Sequence, residues 1–209
     1  MPSIRVSRIV KKTRVEGPGL RYCIWVQGCP IRCEGCFNPH TWSFSGGKVI
    51  SVDMIFDDIK SVLESTPELE GITLMGGEPF AQAGPLSILA SRVRKLGLSV
   101  VTFTGYEYEH LTNAKNTDWH ALLNQTDLLI DGPYIKSLHD LSRPWIGSKN
   151  QQYRFLTDFY KPLANKLMSA GNKLEIRIRP DGTITANGMA APFHIEMLRN
   201  LGASKTRKN

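Results

Sequence analysis

Cysteine is scarce in this chain: four among 209 residues, too few for the disulfide framework that staples small secreted domains. No apolar run approaches the roughly 18 residues that a membrane span needs. The opening stretch, MPSIRVSRIVKKTRVEGPG, has no apolar core and carries charges throughout, unlike a secretory signal. These absences lead us to expect a cytoplasmic protein with reduced thiols, where clustered cysteines point to metal or catalysis. Internal repeats and low-complexity segments are also missing. Nor does the net charge of +7 come with a nucleic-acid signature. Arg5, Arg8, Lys11, Lys12, Arg14 and the tail SKTRKN are not interleaved with aromatics, as a base-stacking platform would require. A solvated basic face is the expectation, or else an acidic protein partner or anionic substrate.

What is present is an ordinary globular composition, 41% hydrophobic and 22% charged, enough for one domain with one sizeable core. IRVSRIV and LRYCIWVQ read as strands joined through the turn-rich VEGPG. SVDMIFDDIKSVLEST places Val52, Ile55, Phe56, Ile59, Val62 and Leu63 on one helical stripe, with Ser51 as its N-cap. GITLM, LSVVTF and DLLID read as buried strands. GPLSILASRVRKLG, with Pro85 at its first position, and NTDWHALLNQ read as the helices between them. Such alternation predicts a parallel sheet with helices packed outside and ligands gathered at the strands' carboxyl ends. Those ends carry Gly76–Pro79, Thr104–Tyr106 and Asp131–Tyr134; turn chemistry would explain any one of them alone. From 152 onward the rhythm changes. DFYKPLANKLMSAG reads as helical, KLEIRIRPDGTITANG as a hairpin whose apolar face (Leu174, Ile176, Ile178) covers the core, and FHIEMLRNLG as a short helix before the basic tail. The expected division is a core over 1–151 and a small extension over 152–209 packed on it.

Three of the four cysteines, Cys29, Cys33 and Cys36, lie within eight residues. Structural zinc commonly takes two close pairs, and here there is no second pair, although Cys23 or His40 would supply a fourth ligand. A disulfide leaves an odd thiol, and a nucleophile needs no thiol neighbours. A cubane 4Fe-4S cluster has four irons, so three thiolates on one loop leave one iron open to a ligand. The spacing therefore favours a cluster that performs chemistry, with zinc still open.

GCPIRCEGCFNPHTW followed by MGGEPF resembles the radical S-adenosylmethionine superfamily. EGPG, GGEP, TGY and LIDGPY, in that order around it, resemble its glycyl radical enzyme activating family, near the activators of anaerobic ribonucleoside-triphosphate reductase. The resemblance covers roughly residues 4–151. Departures are Gly35 where many superfamily members have an aromatic residue, and WIGSKNQ (Trp145–Gln151), where Ile146 and Lys149 replace an arginine and a serine.

The resemblance implies an α/β fold, a partial, open barrel of parallel β/α units, here with a hairpin-helix extension. It implies a 4Fe-4S cluster on Cys29, Cys33 and Cys36 and S-adenosyl-L-methionine as cofactor. Gly76 and Gly77 would let the backbone approach the methionine end, and Glu78 would accept from the cofactor's ammonium group. Gly35 and Phe37 would lie near the adenosine, with Thr104 and Asp131 on the ribose side or in local structure. The implied activity is an oxidoreductase's: reductive cleavage of the cofactor and transfer of radical character to a glycine of a partner. The implied partners are an anaerobic ribonucleotide reductase and a reducing donor such as a flavodoxin or ferredoxin, with no membrane or nucleic acid. Alternatives are a radical enzyme acting on a small molecule or peptide, and a non-catalytic iron–sulfur or zinc module.

Overall fold

A computed structural model describes residues 1–167 and 170–189. Strand β1 (Ser3–Thr13) turns into β2 (Leu20–Val26), and the two pair antiparallel. The tight connection relies on Gly17 and Gly19, whose φ values of 135° and 65° disfavour any side chain. A short strand that the sequence pattern did not announce, β3 (Lys48–Ser51), lies antiparallel on the outer edge of β1. The chain then alternates as expected: α1 (Val52–Ser65), β4 (Leu69–Gly76), α2 (Ala83–Arg94), β5 (Ser99–Phe103), α3 (Tyr108–Asn113), α4 (Thr117–Leu123) and β6 (Leu128–Asp131). β2, β4, β5 and β6 are parallel neighbours, and β7 (Gln152–Phe155) returns antiparallel to β6. The sheet order is β3-β1-β2-β4-β5-β6-β7. The fold is thus mixed α/β with a mostly parallel sheet, antiparallel only at its edges.

Local chemistry explains the elements. The Ser51 hydroxyl accepts from Met54 N and caps α1, whose buried stripe is Val52, Ile55, Ile59 and Val62. Asn116 caps α4 by accepting from the Asp118 and Trp119 amides. Pro85 sits third in α2 rather than first, because the helix starts at Ala83. That is still within the turn whose N–H groups need no intrahelical partner. The six-residue α3 buries only Leu111 and lacks a capping side chain, too little periodicity to read from sequence.

Alternation along the strands sorts the core into two faces. Tyr22, Ile24, Val26, Ile72, Leu74, Val100 and Leu129 face the helices. Cys23 and Trp25 pack with Val10 on the other side, as do Val101, Leu128 and Ile130 with Ile146 and Tyr160. Both faces are covered, which is why LRYCIWV shows little polar alternation. Its one charge, Arg21, is fully buried. The guanidinium donates to Thr73 Oγ1 (3.1 Å), Ser99 Oγ (2.7 Å), Tyr160 Oη (2.8 Å) and the carbonyls of Ile72 and Ser99. These acceptors satisfy a cation that would otherwise be prohibitive to bury.

The change of rhythm at 152 begins with a strand of the central sheet, not with an appendage. After it come a tight helical turn over Asp158–Leu163 and one turn of helix over Ala164–Leu167. Strands β8 (Leu174–Ile178) and β9 (Ile184–Gly188) form the expected hairpin. Its apolar face does not cover the core, however: Ile176 and Ile178 are 43% and 71% exposed. Polar links hold the hairpin to β1 and the following turn instead. Thr13 donates to Glu175, Arg8 to Asn187, Arg177 to the Lys12 carbonyl, and Gly188 N to Glu16. The expected FHIEMLRNLG helix and basic tail lie outside the described residues. No helix among the described residues is long and apolar enough to cross a membrane.

Candidate active site

A cavity of about 380 Å3 opens at the carboxyl ends of the parallel strands, where the cysteine loop, the glycine-rich end of β4 and the hairpin meet. The loop leaves β2 at Gln27, whose side-chain amide donates to the carbonyls of His40 (3.2 Å) and Ser43 (2.7 Å) and so gathers both ends of it. Gly28 N donates to Thr41 O and Cys29 N to Trp42 O, fixing the first cysteine against the helical turn Pro39–Thr41. Cys36 N donates to Cys33 O (3.1 Å), a tight turn that Gly35 allows with φ at 77°.

Cys29, Cys33 and Cys36 form no disulfide, are half-buried and all stand on the cavity wall. Cys23 is buried among Val10, Trp25 and Met75 instead, and His40 is exposed and off the cavity. Burial pushes the Cys29 and Cys33 thiols up, against backbone amides that pull them down. Ligating a metal centre would therefore release their protons. Among the described residues no three His, Cys, Asp or Glu side chains converge on a point where one ion would sit. A single zinc needs its ligands within about 2.3 Å of that point, whereas a cubane places each thiolate on a different iron. The fit to a cluster has a second element. The Trp42 indole N–H is buried on the same wall without a hydrogen-bond partner. It is a donor only, and cluster sulfurs are acceptors.

The glycine-rich strand end is shaped first by its own packing. A Cβ on Gly77 would lie 2.4 Å from Gly28 O, and one on Gly76 would lie 2.7 Å from Trp25 Cα. The glycines let β4 run close beside β2, with Gly77 N donating to Val26 O and Glu78 N to Gly28 O. Glu78 is only 1% exposed. Its Oε1 accepts from Phe80 N and Thr104 Oγ1, and its Oε2 from Gly105 N, each at 2.9 Å. Burial nevertheless raises its pKa to about 7, outweighing those three donors. The carboxylate thus ties the ends of β4 and β5 together, and Oε2 retains one free lone pair on a cavity-lining residue.

The other expected residues divide. Thr104 lines the cavity, but its hydroxyl serves Glu78 and accepts from Tyr106 N. Phe37 lines it too, edge-on to Tyr134 at 5.2 Å. Gly35 is not on the wall; the side chains nearest it are Tyr134 and Lys136. Asp131 also stands off the cavity. It is 3% exposed, and its carboxylate accepts from Tyr108 N (2.9 Å) and Arg154 Nε (3.1 Å), an internal tie rather than a free ribose contact. Ile146, the apolar departure in WIGSKNQ, is fully buried under β5 and β6. Sequence reasoning assigned no role to Arg8, Glu16, Trp25, Met75, Trp42 or the hairpin's Asn187, all of which line the cavity. Glu16 and Trp42 stand in the EGPG and TW motifs, which was the available signal; Asn187 had none.

Comparison with known proteins gives an iron–sulfur family over most of the core. The family described as "4Fe-4S single cluster domain" matches residues 15–154. The chain is similar to the anaerobic ribonucleoside-triphosphate reductase-activating protein of Vibrio cholerae serotype O1, 32% identical over 142 residues, covering 66% of this chain and 88% of that one. It is similar to the protein of the same name from Escherichia coli K12, 33% identical over 141 residues, with shares of 66% and 89%. Among solved structures it is similar to QueE from Escherichia coli, at 20% identity and a TM-score of 0.38 over 49% of this chain and 52% of that one. That likeness is too slight to carry an argument.

Proposed function

The chain belongs to the family of anaerobic ribonucleoside-triphosphate reductase-activating proteins, and we propose that it is the enzyme that places a glycyl radical on such a reductase. The observation that carries the reading is the meeting of three half-buried thiols, one glycine-rich strand end and an unpartnered indole N–H on one cavity. Cys29, Cys33 and Cys36 would hold a 4Fe-4S cluster as thiolates, with S-adenosylmethionine beside it. When bound, these groups supply an electron and, from the cleaved sulfonium, a 5′-deoxyadenosyl radical able to take a hydrogen atom from glycine.

The chain's own residues do the rest. Gly76 and Gly77 hold the floor flat, because neither position admits a side chain. The free lone pair of Glu78 Oε2 would accept from the cofactor's ammonium group, while its other contacts keep the carboxylate from swinging. Trp25, Met75 and Phe103 present apolar surface to the cavity and exclude water from it. In this reading the mostly parallel sheet is an open barrel, its mouth facing a flavodoxin- or ferredoxin-like donor and the reductase in turn.

Anaerobic preparation should yield about four irons and four sulfides per chain. Mixing the reduced protein with S-adenosylmethionine and the reductase of the same cell should give an electron paramagnetic resonance doublet. Glycine deuterated at its α-carbon should collapse that doublet and carry deuterium into 5′-deoxyadenosine. Deuterium arriving instead from a small molecule or peptide, with no radical on any reductase, would replace the reading with that of a small-substrate radical enzyme.

A further inference from the structure

The match to the 4Fe-4S family ends at residue 154, yet Leu174, Ala186, Asn187, Gly188 and Met189 line the same cavity as the three cysteines. One wall of the site is therefore built by a segment beyond the family's pattern. Two polar side chains, each more than nine-tenths buried, stand on it side by side. Asn187 is 5% exposed and Glu16 is 7% exposed. The carbonyl of Asn187 accepts from Arg8, whose guanidinium lies over the Trp25 ring at 5.0 Å, so the carboxamide is held in one orientation. Its Nδ2 hydrogens have no partner among the described residues. Glu16 Oε1 accepts from Gly188 N at 2.8 Å, and Oε2 is likewise unpartnered. An amide donor and a carboxylate acceptor, each on a side chain that is mostly buried and each on the cavity, are complementary to one peptide group: the donor for its carbonyl, the acceptor for its N–H.

We propose that the β8–β9 hairpin aligns the reductase's glycine-bearing segment in the cavity, with Asn187 donating to a main-chain carbonyl of that segment. The proposal rests on the activation reading above and adds the element that selects the substrate. Its logic is that glycine has no side chain to recognise, so the site must read backbone, and buried backbone readers need fixed, desolvated polar groups. The hairpin's ties to β1 through Glu175, Asn187 and Gly188 keep that reader rigid.

Asn187→Asp keeps the oxygen that accepts from Arg8 and replaces the donor by an acceptor. Radical yield, followed by electron paramagnetic resonance against reductase concentration, should show the half-saturating concentration rising about tenfold or more, as when a buried partner is left unpaired. That rise should exceed any change in cofactor affinity, measured without reductase. An unchanged half-saturating concentration would overturn the proposal. So would a rise matched by an equal loss of cofactor affinity, which would give the amide to the cofactor. Should the substitution lower the melting temperature, a measurement on the parent protein decides. Adding reductase should slow hydrogen exchange of the backbone amides over 184–188, and no protection there would overturn the assignment. If the parent protein itself raises no radical on any reductase, the activation reading fails first and takes this inference with it.

Discussion

Replacing Glu78 by glutamine is expected to flatten the pH dependence of folding of the cluster-free protein. The buried carboxyl titrates near 7 in the folded chain against an ordinary 4.5, because desolvation outweighs the amides of Gly105 and Phe80 and the Thr104 hydroxyl. A folded pKa raised above the unfolded one means that the protonated folded form is favoured. The stability from this group is complete below about pH 4.5 and is lost as pH rises through 7. A displacement of that size corresponds to about 3 kcal/mol, and with Glu78 1% exposed solvent screening does not reduce it. For a chain of this length that is roughly 6–12 °C in melting temperature. The assay is thermal or urea unfolding at pH 4 and pH 8 under anaerobic conditions, parent beside Glu78→Gln. Glu16, also raised by burial, tilts both curves alike, so the difference between them isolates Glu78. Parallel curves would refute the claim that desolvation dominates at this strand end, and with it the picture of a carboxyl clamped away from water.

Other substitutions test separate parts of the structure. Cys29→Ala, Cys33→Ala and Cys36→Ala should each lose the bound iron, measured with sulfide after anaerobic reconstitution, whereas Cys23→Ala, buried behind Trp25, should keep it. Arg21→Met strands the Ile72 and Ser99 carbonyls that the guanidinium serves. It should cost about 2–4 kcal/mol in urea unfolding, and a loss under about 1 kcal/mol would mean those groups find other partners. Gly77→Ala pushes a methyl to 2.4 Å from the Gly28 carbonyl; about 1–3 kcal/mol of stability should go together with cofactor affinity, and calorimetry on both would show whether the two losses separate. Ile178→Thr, at a position 71% exposed, should change stability by no more than about 0.5 kcal/mol; a larger loss would mean that the hairpin's apolar face is covered after all.

Much of the site was legible because its chemistry is local. Cys29, Cys33 and Cys36 share one loop, and no packing detail is needed to see that three thiols in eight residues suit a cluster with an open iron. The alternation of α1, β4, α2 and β5 was equally open to reading, since helical stripes and buried strands imprint their periods directly on the chain. Where the reading failed, the deciding contact joins residues far apart. For Asp131, at a strand end like Glu78, the sequence left the ribose side and local structure both open, since nothing local says that Arg154, 23 residues on, pairs with it. Gly76 and Gly77 line the cavity as expected of a ligand floor, but that they must also make room for β2 is known only once the strand order is set. The hairpin's alternation predicted its two strands, but alternation cannot tell which face meets the core when polar ties at the base decide the docking.

The sequence by itself determined the cysteine cluster and the β/α rhythm, which are written in spacing and order along the chain, and its motifs carried the resemblance to the family. Only the tertiary structure decided that Glu78 is a buried clamp, that Arg21 is a core residue, and that Asn187 shares a wall with Glu16, 171 residues earlier in the chain. Burial, protonation and the pairing of polar groups depend on what surrounds a side chain in space, and that is fixed only when the sheet closes over it.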